Sequence, residues 1–351
     1  NFYNGKRVLV IGDTGFKGSW LSYWLNKMGA RVYGFSLAPY YNVSHYNLLN
    51  LENKIRHKNG DIRNFEALID YFKKVKPQIV FHLAAQALVS KSYEDPKYTF
   101  ETNIMGSINI LEAVKNTGSV QSLIYVTSDK CYKNKEWMWG YRENDELGGY
   151  DPYSASKASA EIIFSSYVKS FFNANERKIG LASVRAGNVI GGGDWSKDRI
   201  IPDCINFLKN NEDIVLRNPN ATRPWQHVLE PLSGYLMLAK ELFNNPNDFS
   251  GSWNFGPNIK SIRTVKDVAK AIIKVFGSGE IRSKEKLNNY HESTLLQLNC
   301  DKAKSILKWH PKWDFNKTIN RTVMWYKGYI EGLEPEELVN QDIEDFNLES
   351  K

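Results

Sequence analysis

Five short apolar runs, rich in β-branched residues, punctuate the chain up to residue 184: Lys6 to Ile11, Arg31 to Phe35, Gln78 to Leu83, Gln121 to Val126 and Ile179 to Val184. Runs of this length without polar alternation read as parallel strands covered on both faces. Between them the apolar positions fall at helical spacing. Trp20, Leu21, Trp24, Leu25 and Met28 follow the first run, Asn64 is placed to cap a helix through Lys74, and a long helix is expected from about Pro96 to Thr117. Another opens at Pro152 with Asp151 as its N-cap, whereas residues 40–55 read as a loop. Strand and helix therefore alternate at least four times before Ser128, which predicts a right-handed, doubly wound parallel sheet. Beyond residue 187 the alternation degrades into helical patterns near 199–210, 227–244, 264–277 and 314–331. The expected division is a sheet domain over 1–187, a smaller, mostly helical region over 188–331 folded onto the strand ends, and an acidic tail over 332–351, partly disordered.

This pattern puts polar residues at the carboxyl ends of strands, where open α/β sheets bind ligands. Gly12-Asp13-Thr14-Gly15-Phe16-Lys17-Gly18 follows the first strand and leads into the first helix. Such a turn needs positive φ or a missing Cβ, and it lets a pyrophosphate approach the N–H groups of the helix N-terminus. In that strand-to-helix context a dinucleotide site outweighs a glycine turn that binds nothing, so the fold class is α/β, Rossmann-like. An acid that reads the adenosine ribose belongs at the end of the second strand, about 20 residues on. Ser36 stands there instead, and spacing leaves NAD against NADP open. Ala84-Ala85-Gln86 closes the next long strand with residues small enough for a cofactor to pack on the backbone, or simply for close packing.

Thr127-Ser128-Asp129-Lys130-Cys131-Tyr132 lies at the end of a later strand, and Tyr153 and Lys157 stand four residues apart at the start of the following helix, on one face. An ammonium beside a phenol lowers a reference pKa of about 10 toward neutrality, which makes the tyrosine usable as a general base. Alone, the pair equally describes a surface tyrosine and lysine one turn apart; context must decide.

The chain has 351 residues, 42% of them hydrophobic, enough for a sizeable core. Its net charge of +7 is uneven: residues 331–351 carry eight acids and one lysine, leaving +14 on the remainder. The basic residues are scattered rather than laced with aromatics, so phosphorylated small molecules are the expected partners and nucleic acid is not. Cys131, Cys204 and Cys300 have no zinc or redox spacing, none of the six histidines pairs at metal-ligand spacing, and no metal is expected. No apolar run of about 18 residues or secretory pattern is present, which favours a cytoplasmic protein without a membrane partner.

Taken together, Gly12-x-x-Gly15-x-x-Gly18, Ser128 and Tyr153-x-x-x-Lys157 resemble the extended short-chain dehydrogenase/reductase superfamily. Longer stretches resemble its CDP-glucose 4,6-dehydratase branch: residues 127–132, 139–144, 148–154 and 184–195, Arg223-Pro224-Trp225-Gln226-His227, and Trp253-Asn254-Phe255-Gly256-Pro257. The resemblance implies an NAD-dependent lyase that converts CDP-glucose to CDP-4-keto-6-deoxyglucose, with NAD reduced and reoxidised in each turnover. It implies catalytic roles for Ser128, Asp129, Lys130, Tyr153 and Lys157. It implies cofactor contacts from Gly12, Thr14, Gly15, Phe16, Lys17, Gly18, Asp61, Ile62, Ala84, Ala85, Gln86, Asn103, Tyr153 and Lys157. Ser128, Asn188, Arg199 and Arg223 are implied to meet the nucleotide-sugar, the arginines through its diphosphate. The superfamily commonly pairs through the Tyr153 helix and its predecessor, so a homo-oligomer is expected, with Ile162, Ile163, Phe164 and Tyr167 at the contact or in the core.

In this scheme Tyr153 takes the carbon-4 hydroxyl proton, the new ketone acidifies carbon 5, and Asp129 must be protonated to assist loss of the carbon-6 hydroxyl. Related dTDP-glucose dehydratases carry Asp-Glu where this chain has Asp129-Lys130. Lys130 acts either as a neutral amine base or as an ammonium that stabilises the enolate; a plain ion pair with Asp129 is the bland alternative. Asp13 replaces the histidine of the resembled turn, which is expected to set a carboxylate near the phosphates and weaken cofactor affinity. Residues 283–294, where the superfamily often completes the nucleotide pocket, match least. A 4-epimerase, a dehydratase of another nucleotide sugar and a catalytically silent NAD-binding sensor are the competing readings.

Overall fold

The computed structural model describes residues 1–172, 178–216, 218–283 and 295–349. Seven parallel strands form the central sheet: β1 (Arg7–Ile11), β2 (Arg31–Ser36), β3 (Arg56–Asn59), β4 (Ile79–His82), β5 (Ser122–Val126), β6 (Gly180–Ala186) and an edge strand, Gly251–Phe255. From one edge to the other they run Gly251–Phe255, β6, β5, β4, β1, β2, β3. Chain direction across the sheet reverses between β1 and β4, so the crevice where such sheets take ligands opens at Ile11 and His82. Every residue of β4, β5 and β6 is buried, as their unbroken apolar runs predict. The two edges were the hard strands to read. β3 is Arg-His-Lys-Asn and mostly exposed, and Gly251–Phe255 lies beyond residue 187 yet joins the sheet beside β6.

The helices start where their caps predict. The Asn64 side chain accepts from the Ala67 N–H, and the Asp151 carboxylate accepts from the Ser154 N–H with Pro152 at the first turn. The long helix expected from Pro96 runs on to Lys115 as Pro96–Phe100, a π turn over Glu101–Met105, and Gly106–Lys115, with helical backbone at both junctions. Gly106 is required by packing, since a Cβ there would lie 2.6 Å from Ile62 Cδ1. Within the expected loop 40–55 the chain folds a short helix, His45–Leu48, and a 3₁₀ turn, Leu51–Asn53. Their apolar positions are too few to show a period, yet Tyr46, Leu49 and Leu51 are buried.

Helix Leu229–Asn244 returns to cover β5 and β6, and Phe315–Ile330 packs between Val265–Phe276 and the C-terminal helix Pro335–Leu348. That last helix corrects the expectation of partial disorder in the acidic tail. Leu338, Val339, Ile343 and Phe346 are buried on one side, and the Phe346 ring meets Trp24 and Trp313 edge-on. The buried Asp342 is bound by Arg321 at 2.7 Å and 2.6 Å. Other acids of the tail pair nearer the surface, Glu336 with Lys54 and Glu349 with Lys317. Among the described residues no helix is long and apolar enough to cross a membrane.

Phe346→Ala is expected to destabilise the protein by about 3–5 kcal/mol, the cost of emptying a phenyl site in a packed core. Chemical denaturation measures it, and an unchanged midpoint would show that the C-terminal helix is not part of the cooperative core.

Candidate active site

The glycine turn is shaped by close approach. Gly12 has φ +94° and a Cβ there would lie 2.6 Å from the Ala84 backbone nitrogen, while a Cβ on Gly18 would strike the Gly12 carbonyl. Gly15 is the N-cap of helix Phe16–Lys27 without a side-chain cap, so the first N–H groups of that helix face outward. Bare backbone, a helix N-terminus and the strand end at Ala84-Ala85 form a cradle that fits a dinucleotide pyrophosphate. Gln86 is held behind it: its N–H donates to Asn103 Oδ1 at 2.8 Å, and Asn103 Nδ2 donates to Gln86 O at 3.0 Å and to Ser156 Oγ at 2.9 Å. The π turn lets Asn103 meet both the strand end and the Tyr153 helix. Ile62 is buried in the wall, and the Asp61 carboxylate is taken by Arg63 at 2.6 Å, which holds it below its ordinary range. Asp13 does not face the phosphates as expected. It turns beneath β2, where Ser36 and His57 bind it, because Gly34 leaves room for a carboxylate.

Ser128, Asp129, Tyr153 and Lys157 converge between the ends of β5 and helix Pro152–Tyr167, and all four are buried. Ser128 caps the 3₁₀ turn Asp129–Cys131, accepting from the Lys130 N–H at 3.2 Å, and its hydroxyl donates to Asp129 Oδ1 at 3.0 Å. Burial raises the Asp129 carboxyl despite Lys130, the Ser128 hydrogen bond and Arg223, all of which pull it down. Its Oδ2 has no hydrogen-bond partner, and a Cβ on Gly187 would stand 2.9 Å from it. A half-satisfied carboxyl, shifted by burial toward its protonated form, is thus held in the cleft.

The tyrosine departs from expectation. Burial pushes Tyr153 up to about 12, opposed by the Ser128 hydrogen bond and Arg199 and assisted by the Asp129 charge. The Lys157 ammonium lies 5.9 Å from the ring centroid, too far to offset desolvation. Lys157 is itself lowered to about 8 by burial and by Lys17, and Lys17 is lowered to about 8 by burial and Arg199. Cations thus crowd the mouth of the cradle, which suits phosphate ligands.

Arg199 pairs with Asp194 at 2.8 Å just before helix Ile200–Lys209. Arg223 is buried in strand Thr222–Pro224, its guanidinium donating to Thr222 O at 2.8 Å, and its charge reaches Asp129. Asn188 is half-buried, its carbonyl accepting from the Gln226 N–H at 3.2 Å. The expected base-pocket segment largely falls on residues 284–294, outside the described residues. Cys131, Cys204 and Cys300 are buried with raised thiols, and no group of metal-binding side chains occurs among the described residues.

Sequence reasoning missed the network beneath the site. Glu161 lies one turn past Lys157 on the same helix, almost fully buried, and pairs with Arg185 of β6 at 2.7 Å. Thr127 and Ser183 also donate to its carboxylate, and Arg185 Nη1 donates to the Tyr132 hydroxyl at 2.6 Å. Burial works against the Glu161 charge, but Arg185 and these hydroxyls outweigh it and hold the carboxyl below its usual range. The i, i+4 step from Lys157 to Glu161 was readable; its partner 24 residues away was not.

A family model described as GDP-mannose 4,6 dehydratase matches residues 9–322. The chain belongs to this family. A CDP-glucose 4,6-dehydratase of Salmonella typhimurium is 49% identical over 335 residues, 95% of this chain and 93% of that protein. Among solved structures, a dTDP-glucose 4,6-dehydratase of Streptomyces venezuelae with NAD bound has TM-score 0.79 at 21% identity, covering 94% of this chain and 99% of that one. A UDP-glucose 4-epimerase of Thermotoga maritima with UDP-glucose also has TM-score 0.79, at 22% identity, covering 92% and 99%. The same fold thus occurs in a dehydratase and in an epimerase.

Glu161→Ala is expected to cost about 3–5 kcal/mol, because it strands the Arg185 charge in the interior. The double variant Glu161→Leu with Arg185→Met is expected to lose less than the single one, and unfolding midpoints compare them. Equal losses would mean that the pair is not coupled.

Proposed function

We propose that the chain is a nucleotide-sugar 4,6-dehydratase that removes water from CDP-D-glucose to give CDP-4-keto-6-deoxy-D-glucose, with NAD as its resident cofactor. The observation that carries the reading is the buried Asp129 carboxyl, raised toward its protonated form, with Oδ2 unpartnered beside Ser128. An epimerase needs Tyr153 and Lys157 but has no task for such an acid. The relative with 49% identity supports the choice of nucleotide sugar, and the dehydratase structure with NAD supports the cofactor. Gly12, Thr14, Gly15, Phe16, Lys17 and Gly18 would hold its pyrophosphate end, Asp61 and Ile62 its adenosine side, and Ala84 to Gln86, Asn103, Tyr153 and Lys157 its reactive half. Bound there, NAD supplies a reversible hydride acceptor.

Tyr153, with Ser128 among the groups that favour its ionised form, accepts the proton of the carbon-4 hydroxyl. Because burial opposes its phenolate, the step depends on the positive charge of Arg199, which favours the ionised tyrosine. The ketone at carbon 4 then acidifies carbon 5, where Lys130 removes the proton or stabilises the enolate as an ammonium, while Asp129 protonates the leaving hydroxyl at carbon 6. Arg199, Arg223 and Asn188 orient the diphosphate and sugar. Residues 1–187 carry the cofactor and 188–331 mainly the substrate, although Leu229–Asn244 and Gly251–Phe255 return to the sheet. A homodimer, or a dimer of dimers, through helix Pro152–Tyr167 belongs to this reading. Ile162 is 58% and Met105 53% exposed on adjoining helices, whereas Phe164 is core. Three unpaired buried cysteines suit the cytoplasm.

Proton NMR of the protein with CDP-glucose, dTDP-glucose and UDP-glucose in turn is expected to show a 6-deoxy methyl signal with CDP-glucose alone. No methyl signal with any of them, even with NAD supplied, would overturn the dehydratase reading. Lys130→Met is expected to lower turnover by roughly 10²–10⁴-fold, the usual range for a lost proton-transfer group, while carbon-4 oxidation persists as reduced-nicotinamide absorbance. Near-normal product formation would remove Lys130 from carbon 5.

A further inference from the structure

The end of β2 lacks the acid that reads an adenosine ribose, and Ser36 takes its place. Beneath it a carboxylate is present all the same. Asp13, from the glycine turn, is fully buried; its Oδ1 accepts from Ser36 Oγ at 2.8 Å and its Oδ2 lies 2.8 Å from His57 Nδ1. His57 stands in register beside Gly34, the residue whose missing Cβ makes room for this carboxylate. The Thr14 hydroxyl lies 2.9 Å from Ser36 Oγ and 2.8 Å from Leu37 O.

We propose that Asp13 is the residue that selects NAD over NADP, acting through Ser36 and Thr14 as a concealed substitute for the missing strand-end acid. The proposal rests on the reading of the glycine turn as a dinucleotide cradle. The Ser36 hydroxyl spends its one hydrogen on Asp13 Oδ1, which leaves Ser36 only lone pairs to offer elsewhere. The Thr14 hydrogen has two acceptors, Ser36 Oγ and Leu37 O, and both lie inside the cluster. The strand end therefore shows an incoming ribose oxygen lone pairs backed by a negative charge in a water-poor setting. A 2′-hydroxyl has a hydrogen to donate there. A 2′-phosphate has none to spare at neutral pH and brings like charge, so it is refused twice. The nearby arginine is committed as well, since Arg63 holds Asp61 by two contacts at 3.0 Å and 2.6 Å.

Isothermal titration of the full chain with NAD⁺ and with NADP⁺, without sugar nucleotide, reads the preference as a ratio of dissociation constants. Wild type is expected to favour NAD⁺ strongly. Asp13→Asn is expected to shrink the ratio about tenfold, equivalent to about 1.4 kcal/mol, chiefly through tighter NADP⁺ binding. Ser36→Ala, which keeps the Asp13 and His57 contact, is expected to shrink it as well. If folded Asp13→Asn leaves the ratio within about twofold of wild type, or weakens both nucleotides equally, the proposal is overturned. Should that variant fail to fold, Ser36→Ala decides by the same criterion. Wild type binding both nucleotides equally overturns this inference alone, whereas binding neither overturns the cofactor reading on which it rests.

Discussion

The arrangement depends on one buried ion pair. Glu161 and Arg185 join the Tyr153 helix to β6 from inside the protein, and the same carboxylate takes the hydroxyl hydrogens of Thr127 and Ser183. Charges so deeply enclosed are stable only when every partner is in place. The geometry is consequently fixed at three points together: the end of β5 that leads to Ser128, the helix that carries Tyr153 and Lys157, and the Tyr132 to Asn254 contact at 2.8 Å that reaches the edge strand. Side chains that must stay within a few tenths of an ångström of one another are thus mounted on one rigid frame.

Above this frame the site separates its charges by burial. Asp129 is pushed toward its neutral form and Tyr153 away from its ionised form, both chiefly by desolvation. Lys17 and Lys157 are brought down to about 8 by the same force, helped by Arg199 at Lys17 and by Lys17 at Lys157. A site so strained toward neutrality is poised for ligands that bring negative charge, and phosphates entering it relieve the crowding of cations.

The sequence displayed the parts of this design that follow a period or a short motif. The central strands were legible because both faces are buried, and the caps at Asn64 and Asp151 because capping chemistry is local. Ser128, Tyr153 and Lys157 stood out by type and spacing. What depends on tertiary contact did not show. Polar β3 reads as loop until β2 pairs with it, the acidic C-terminal helix hides four apolar residues among its charges, and Asp13 cannot be known to turn inward without Gly34 beside it. The tyrosine pKa went astray for a related reason: a lysine one turn away was visible, but the desolvation that outweighs it belongs to the folded interior.

The π turn at Glu101–Met105 carries a consequence for anyone who would redesign this scaffold. It holds one residue more than a regular helix would over the same rise, and each residue turns a helix by about 100°. Excising that residue to obtain a straight helix would rotate Asn103 off Gln86 and Ser156 while leaving Gly106 on Ile62. The register of this helix is therefore tied at both ends of the turn, to Gln86 and Ser156 through Asn103 and to Ile62 through Gly106. An irregularity that looks like a flaw sets the phase between two halves of the binding crevice.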